Sequence, residues 1–123
     1  MNTHEQLYTD SVSVAQGGTV NGKSVTFPIS GEKPSCLNAF IQYTPGVANR
    51  TLDVKLQLAT QNGVFYSLLS DNTVTITDDA VVQLSIPGAP TIIRLTYTSS
   101  GPAGADDTVS VILSGLPQGT VIL

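Results

Sequence analysis

TIIRLTYT (residues 91–98), SSGPAGADD (99–107) and TVSVILSG (108–115) follow one another, and their reading decides the fold. Both flanks alternate apolar and polar residues, as a strand with one buried face must. Ile93, Leu95 and Tyr97 fall on one face, with Arg94, Thr96 and Thr98 on the other. In the second flank Val109, Val111 and Leu113 oppose Ser110, Ile112 and Ser114. The segment between holds two glycines, a proline and two adjacent aspartates, all loop formers. The pattern predicts two antiparallel core strands joined by an exposed loop, with Ile93, Leu95 and Val111 buried.

The same grammar extends outward. TLDVKLQLAT (51–60) places Leu52, Val54, Leu56 and Leu58 inward and Thr51, Asp53, Lys55 and Gln57 outward. Four apolar residues at strict even spacing exclude a helix. CLNAFIQYT (36–44) aligns Leu37, Ala39, Ile41 and Tyr43. QLYTDSVSVA (6–15) aligns Tyr8, Val12 and Val14, although Asp10 falls on that face. VNGKSVTFPI (20–29) aligns Val25, Phe27 and Ile29; Asn21-Gly22 is a hairpin dipeptide, and Pro28 places the strand at an edge or ends it. Residues 64–69 return from a Gln61-Asn62-Gly63 turn, and Asp71-Asn72 turns again. TVTIT (73–77) is expected to pair with AVVQLSI (80–86) through Asp78-Asp79. Residues 30–35, 87–90 and 116–119 read as loops or turns, and 120–123 as a short apolar end. Roughly eight to ten short strands separated by turn signals make an all-β chain, a two-sheet antiparallel sandwich of jelly-roll or Ig-like type. Residues 1–15 are expected to be an N-terminal arm or edge strand, and 16–123 a single β-sandwich domain.

Composition bounds the function. At 123 residues the chain fits one domain with a sizeable core. Charged residues make up 11%, against about 25% in a typical protein. Low charge suits contact with other protein surfaces, because buried charges must be desolvated. The five basic residues are scattered and the net charge is −4, so a nucleic-acid footprint is not expected. The start MNTHEQLYTD lacks the charged-then-apolar pattern of a secretory signal, so a chain with this as its natural start is expected to be made and kept in the cytoplasm until assembly or lysis.

No stretch carries a catalytic or cofactor signature, and no catalytic, cofactor, metal or binding residue is assigned. His4 is the sole histidine and Cys36 the sole cysteine, too few for a metal site or an intrachain disulfide. His4 lies in the expected arm, where a triad could not hold it. Cys36 reads as a small buried hydrophobe. Asp78-Asp79 and Asp106-Asp107 read as turn residues; a calcium loop is the sharper alternative, with no matching spacing. Gly17-Gly18 opens a strand, not a phosphate-binding helix. Asn49-Arg50-Thr51 matches the N-glycosylation pattern, read as chance. A sugar-binding platform would have to use Tyr8, Tyr43, Tyr66 and Tyr97, since the chain has no Trp; Tyr43 and Tyr97 fall on core faces.

The signal-less start MNTHEQLYTDSVSVAQGGTV, the Thr/Val/Ser-rich strands such as TVTITDDAVVQLSI and the near absence of His, Cys and Trp give the chain its character over its full length. In these features it resembles the small all-β virion proteins of tailed bacteriophages, above all capsid decoration (cement) proteins. The resemblance implies a non-enzymatic protein, often a homotrimer, that binds the outside of the assembled shell through the major capsid protein or another virion protein and stabilises it. From the residues themselves no cofactor or nucleic-acid partner is expected, and no membrane either, since no apolar run approaches the length of a membrane span. The alternative expectation is a carbohydrate- or host-surface-binding β-sandwich module associated with a tail or fibre.

Overall fold

The computed structural model describes residues 6–28, 33–59, 64–67, 73–87 and 90–122. His4, the expected turns at Gln61-Asn62-Gly63 and Asp71-Asn72, Ile29 with residues 30–32 of the 30–35 loop, residues 68–69 of the return strand, Gly88-Ala89 and Leu123 lie outside the described residues.

The strands, in chain order, are β1 (Gln6–Val14), β2 (Thr19–Asn21), β3 (Val25–Thr26), β4 (Cys36–Thr44), β5 (Thr51–Ala59), β6 (Phe65–Ser67), β7 (Val74–Ile76), β8 (Ala80–Ser85), β9 (Ile92–Ser100), β10 (Asp107–Leu116) and β11 (Val121–Ile122). They form two sheets. One has the order β1-β10-β4-β8; the other runs β11-β3-β9-β5-β6, with β2 also on β9 and β7 also on β5. The ladders are antiparallel throughout. The chain changes sheet between β1 and β2, β3 and β4, β4 and β5, β7 and β8, β8 and β9, β9 and β10, and β10 and β11. First strand beside last long strand, with steady crossing between sheets, is the jelly-roll order. An Ig-like order would put the first two strands in one sheet, and β1 and β2 are in opposite sheets.

Alternation is what makes these strands and faces. β4 reads exposed-buried without a break from Cys36 to Thr44, and β10 buries Val109, Val111 and Leu113. Leu56, Ile93 and Leu95 are buried as expected, with Leu52, Val54 and Tyr97 on the same internal layer.

Pairing departs from the local expectations. β9 and β10 do not pair; they lie in opposite sheets, and each strand is longer than its alternating eight-residue segment suggested. β7 and β8 are no hairpin either, since β7 pairs with β5 and β8 with β4. Asp79 explains the corner: its Oδ1 accepts the Tyr43 N–H at 2.8 Å, tying the start of β8 to β4, while Asp78 Oδ1 accepts the Asp79 N–H. Asn21-Gly22 makes no hairpin. Asn21 faces Thr96 and Val25 faces Ile93, so β2 and β3 are one strand interrupted by a bulge against β9. A Cβ at Gly22 would stand 3.0 Å from Asp10 Oδ2 and 3.1 Å from the Tyr8 hydroxyl, which is why the bulge holds glycine. Finally, β1 is an edge strand built into the sandwich and not an arm: it pairs with β10 and buries Tyr8 and Val14.

Candidate functional site

The outer face of the four-stranded sheet is built from the residues that alternate with the core. They are Thr9, Ser11 and Ser13 on β1; Thr108, Ser110, Ile112 and Ser114 on β10; Cys36, Asn38, Phe40, Gln42 and Thr44 on β4; and Val81, Gln83 and Ser85 on β8. None carries a charge. Register aligns four of them in one row: Thr9 opposite Ile112, Ile112 opposite Phe40, and Phe40 opposite Val81. Neighbours in such a row lie about 4.5–5.5 Å apart. Phe40, Ile112 and Val81 are 45%, 44% and 63% exposed, so the row is an apolar stripe open to solvent. It lies in a shallow groove of about 780 Å³ that Gln42 and Ser110 also line. Asp10 and Lys23 reach the groove at its β1 side and Asp79 at its β8 side. The opposite sheet is different: its outward positions include Asp53, Lys55 and Arg94, and Arg94 lies over the Phe65 ring at 4.0 Å while donating to Gln57. One face of the sandwich is charged and the other is not.

A polar clasp closes the seam beside β1. Asp10 Oδ2 accepts the Lys23 N–H at 2.9 Å and the Tyr8 hydroxyl at 3.0 Å. Lys23 Nζ donates to the Thr9 carbonyl at 3.1 Å. Burial, then Tyr97 and Asp10, push the Tyr8 hydroxyl pKa far up, so it stays a donor. This explains the aspartate on an otherwise apolar face: Asp10 joins β1 to the β2–β3 bulge.

The far end of the sandwich holds a buried ionic network. Asp107 Oδ1 accepts Arg50 Nη1 and the Gly46 N–H, both at 2.8 Å; its Oδ2 accepts the hydroxyls of Ser99 at 2.6 Å and Tyr43 at 2.9 Å. Arg50 also donates from Nε to the Pro102 carbonyl at 2.6 Å and from Nη1 to the Ala105 carbonyl at 2.9 Å. Burial acts to raise the Asp107 pKa, but hydrogen bonds from Ser99, Gly46, Tyr43 and Arg50 outweigh it and hold the carboxyl below its ordinary range. Burial, followed by the hydrogen bond to Asp107, pushes Tyr43 up to about 12. The network pins the 101–106 loop onto the segment before β5. Its side chains are sealed from solvent, so it serves structure.

The residues singled out in the sequence are thus dispersed. Asp107 is the buried first residue of β10 and not a turn residue. Its even spacing from Val109, Val111 and Leu113 was the available signal. Cys36 is exposed and not buried, because Leu37 takes the inward position beside it. Arg50 of the Asn49-Arg50-Thr51 motif is core, and Asn49 adopts a left-handed φ of 67°. Tyr8, Tyr43 and Tyr97 are buried; Tyr66 is exposed, so these four assemble no aromatic platform. Among the described residues no three His, Cys, Asp or Glu side chains converge as metal ligands. The stripe itself escaped notice. Its signal was Phe40 and Ile112 at positions whose strand neighbours on that face are Asn, Gln and Ser.

Compared with protein-family models, curated proteins and solved structures, the chain matches none.

Proposed function

We propose that this chain is a non-enzymatic structural protein of a bacteriophage virion, one that binds the outside of the assembled shell and stabilises it. The observation that carries the reading is the uncharged outer face of the four-stranded sheet with its stripe of Phe40, Ile112 and Val81. Uncharged polar and apolar side chains can be covered by protein at little desolvation cost, and depletion of charge marks the core of protein contacts. The likeness of the Thr/Val/Ser-rich strands to capsid decoration proteins supplies the partner: the major capsid protein or another virion protein, engaged by a homo-oligomer. The buried Arg50–Asp107 network suits a protein exposed on a particle surface, since it fixes a long loop without a disulfide.

Gradient-purified particles of the source phage, analysed by mass spectrometry, test the reading. The chain is expected to band with intact shells, and shells stripped of it are expected to open at lower temperature. Particles that lack the chain would overturn the proposal.

A further inference from the structure

We infer that the outer face of the four-stranded sheet is covered by the same face of a second copy, about a two-fold axis that runs along the strands between β10 and β4. This rests on the reading of that face as a protein-contact surface and assigns it to a second copy in place of the shell, so the two are told apart by which partner Phe40→Glu releases.

Size comes first. Four strands about 4.8 Å apart, with nine residues in β4 at about 3.3 Å each, make a face of roughly 19 by 30 Å. Two such faces together cover about 1,150 Å², close to the roughly 1,200 Å² at which specific protein contacts begin. The whole face must therefore take part, and a sheet laid on a sheet achieves that.

Charge selects the occupant. The chain carries a net −4, so two copies that meet through most surfaces bring like charges together. On this face the strands' outward side chains have no charge, and the few charges that reach the groove stand at its sides. Asp10 and Lys23 stand together at the β1 side, where their opposite charges offset, and Asp79 stands at the β8 side. A two-fold axis along the strands lays the β1 side of each copy over the β8 side of the other. Each Asp79 then meets the side that holds Lys23 beside Asp10 and not the other copy's Asp79, which fixes orientation more than affinity. The same axis sets Ile112 of each copy over Phe40 of the other and Val81 over Thr9, so the stripe meets itself.

Symmetry then fixes the number. A three-fold ring needs two different patches on every copy, whereas a two-fold uses one patch twice. The remaining exposed large hydrophobics among the described residues, Val64, Tyr66 and Val121, lie towards opposite edges of the other sheet and form no second stripe. The face favours a pair over the trimer that the likeness to decoration proteins implies.

Cys36 supplies a probe, since it is exposed on this same face and has no sibling in the chain. The axis between β10 and β4 places the two Cys36 residues within about 15 Å, from sheets stacked about 10 Å apart and strands about 4.8 Å apart. Analytical ultracentrifugation of the full chain at about 100 μM should give twice the chain mass. Phe40→Glu and Ile112→Glu should each weaken pairing at least tenfold with the β circular-dichroism spectrum kept, while Val121→Glu on the other sheet should leave it. A nitroxide on Cys36 of the unmutated chain should report an intermolecular distance below about 20 Å, and a short bis-maleimide should join two chains. A monomeric unmutated chain, or a pair that survives Phe40→Glu with labels far apart, would overturn the inference. A monomer whose binding to shells is abolished by Phe40→Glu would overturn it while leaving the virion proposal standing; pairing through the stripe without affinity for shells would do the reverse.

Discussion

Arg50 donates from Nη1 to Oδ1 of Asp107 across 2.8 Å, and neither side chain touches solvent. Removing one partner of such a pair leaves a buried charge uncompensated. Arg50→Ala is therefore expected to cost about 3–5 kcal/mol in urea melts. A loss below about 1 kcal/mol would show that the network does not fix this end of the sandwich.

The same network sets the acid limit. The folded state holds Asp107 below its ordinary value of 3.8. Its contribution is complete above that value and is lost as pH falls from there through the lower folded pKa. Urea midpoints measured between pH 5 and 2 should fall in that window, and Asp107→Asn, although less stable at neutral pH, should show a flatter profile.

Alkali acts with the opposite sign. Tyr43 moves from 10.0 to about 12 on folding, so its contribution is complete below pH 10 and is lost as pH rises from 10 towards 12. Tyr8 and Tyr97 are raised as well, in both cases chiefly by burial. Unfolding should coincide with the rise of tyrosinate absorbance, and Tyr43→Phe should flatten the melting-temperature profile between pH 10 and 12.

Alternation makes a paired prediction on neighbouring strands. Leu56→Ala empties a fully buried site and should cost about 2–5 kcal/mol. Phe40→Ala acts on the exposed face of β4 and should change the stability of the isolated subunit by no more than about 0.5 kcal/mol. Equal losses would mean that the two faces of the sheet are misassigned.

Deleting residues 1–15 removes β1 with Tyr8 and Val14 from the core and uncovers β10 along its length. The truncated chain is expected to lose its cooperative melt. A folded truncation, with dispersed amide resonances, would make β1 an attachment and not part of the sandwich.

The strands and their inward faces were legible in the sequence because a half-buried strand must alternate, and 36–44 and 51–57 show it cleanly; at the end of β5 Leu58 is only partly buried and Ala59 is buried. Partnership was not legible. Alternation states which way Val74 and Val82 point but not which ladder each joins, and a jelly roll sends neighbours in sequence to opposite sheets. Asp107 and Cys36 were misjudged by residue type when parity pointed the other way: an aspartate beside a glycine-rich loop suggests a turn, and a cysteine suggests burial. The stripe needed register as well as parity. Only the ladder brings Phe40, Ile112 and Val81, far apart in the chain, into one row.

The pairing of β1 with β10 also sets a timetable. Val12 lies opposite Val109, with most of the chain between them, so the four-stranded sheet cannot close until β10 has left the ribosome. At about 5–20 residues per second, synthesis of the 97 residues from Val12 to Val109 takes roughly 5–19 s. Folds rich in distant pairings form in about milliseconds to seconds once the chain is complete. Translation, and not the search for the native pairing, therefore sets how long the apolar face of β1 waits uncovered. A cell making many copies at once holds a standing pool of such unfinished chains. Slowing the ribosome should enlarge that pool and draw in chaperones that bind nascent apolar segments.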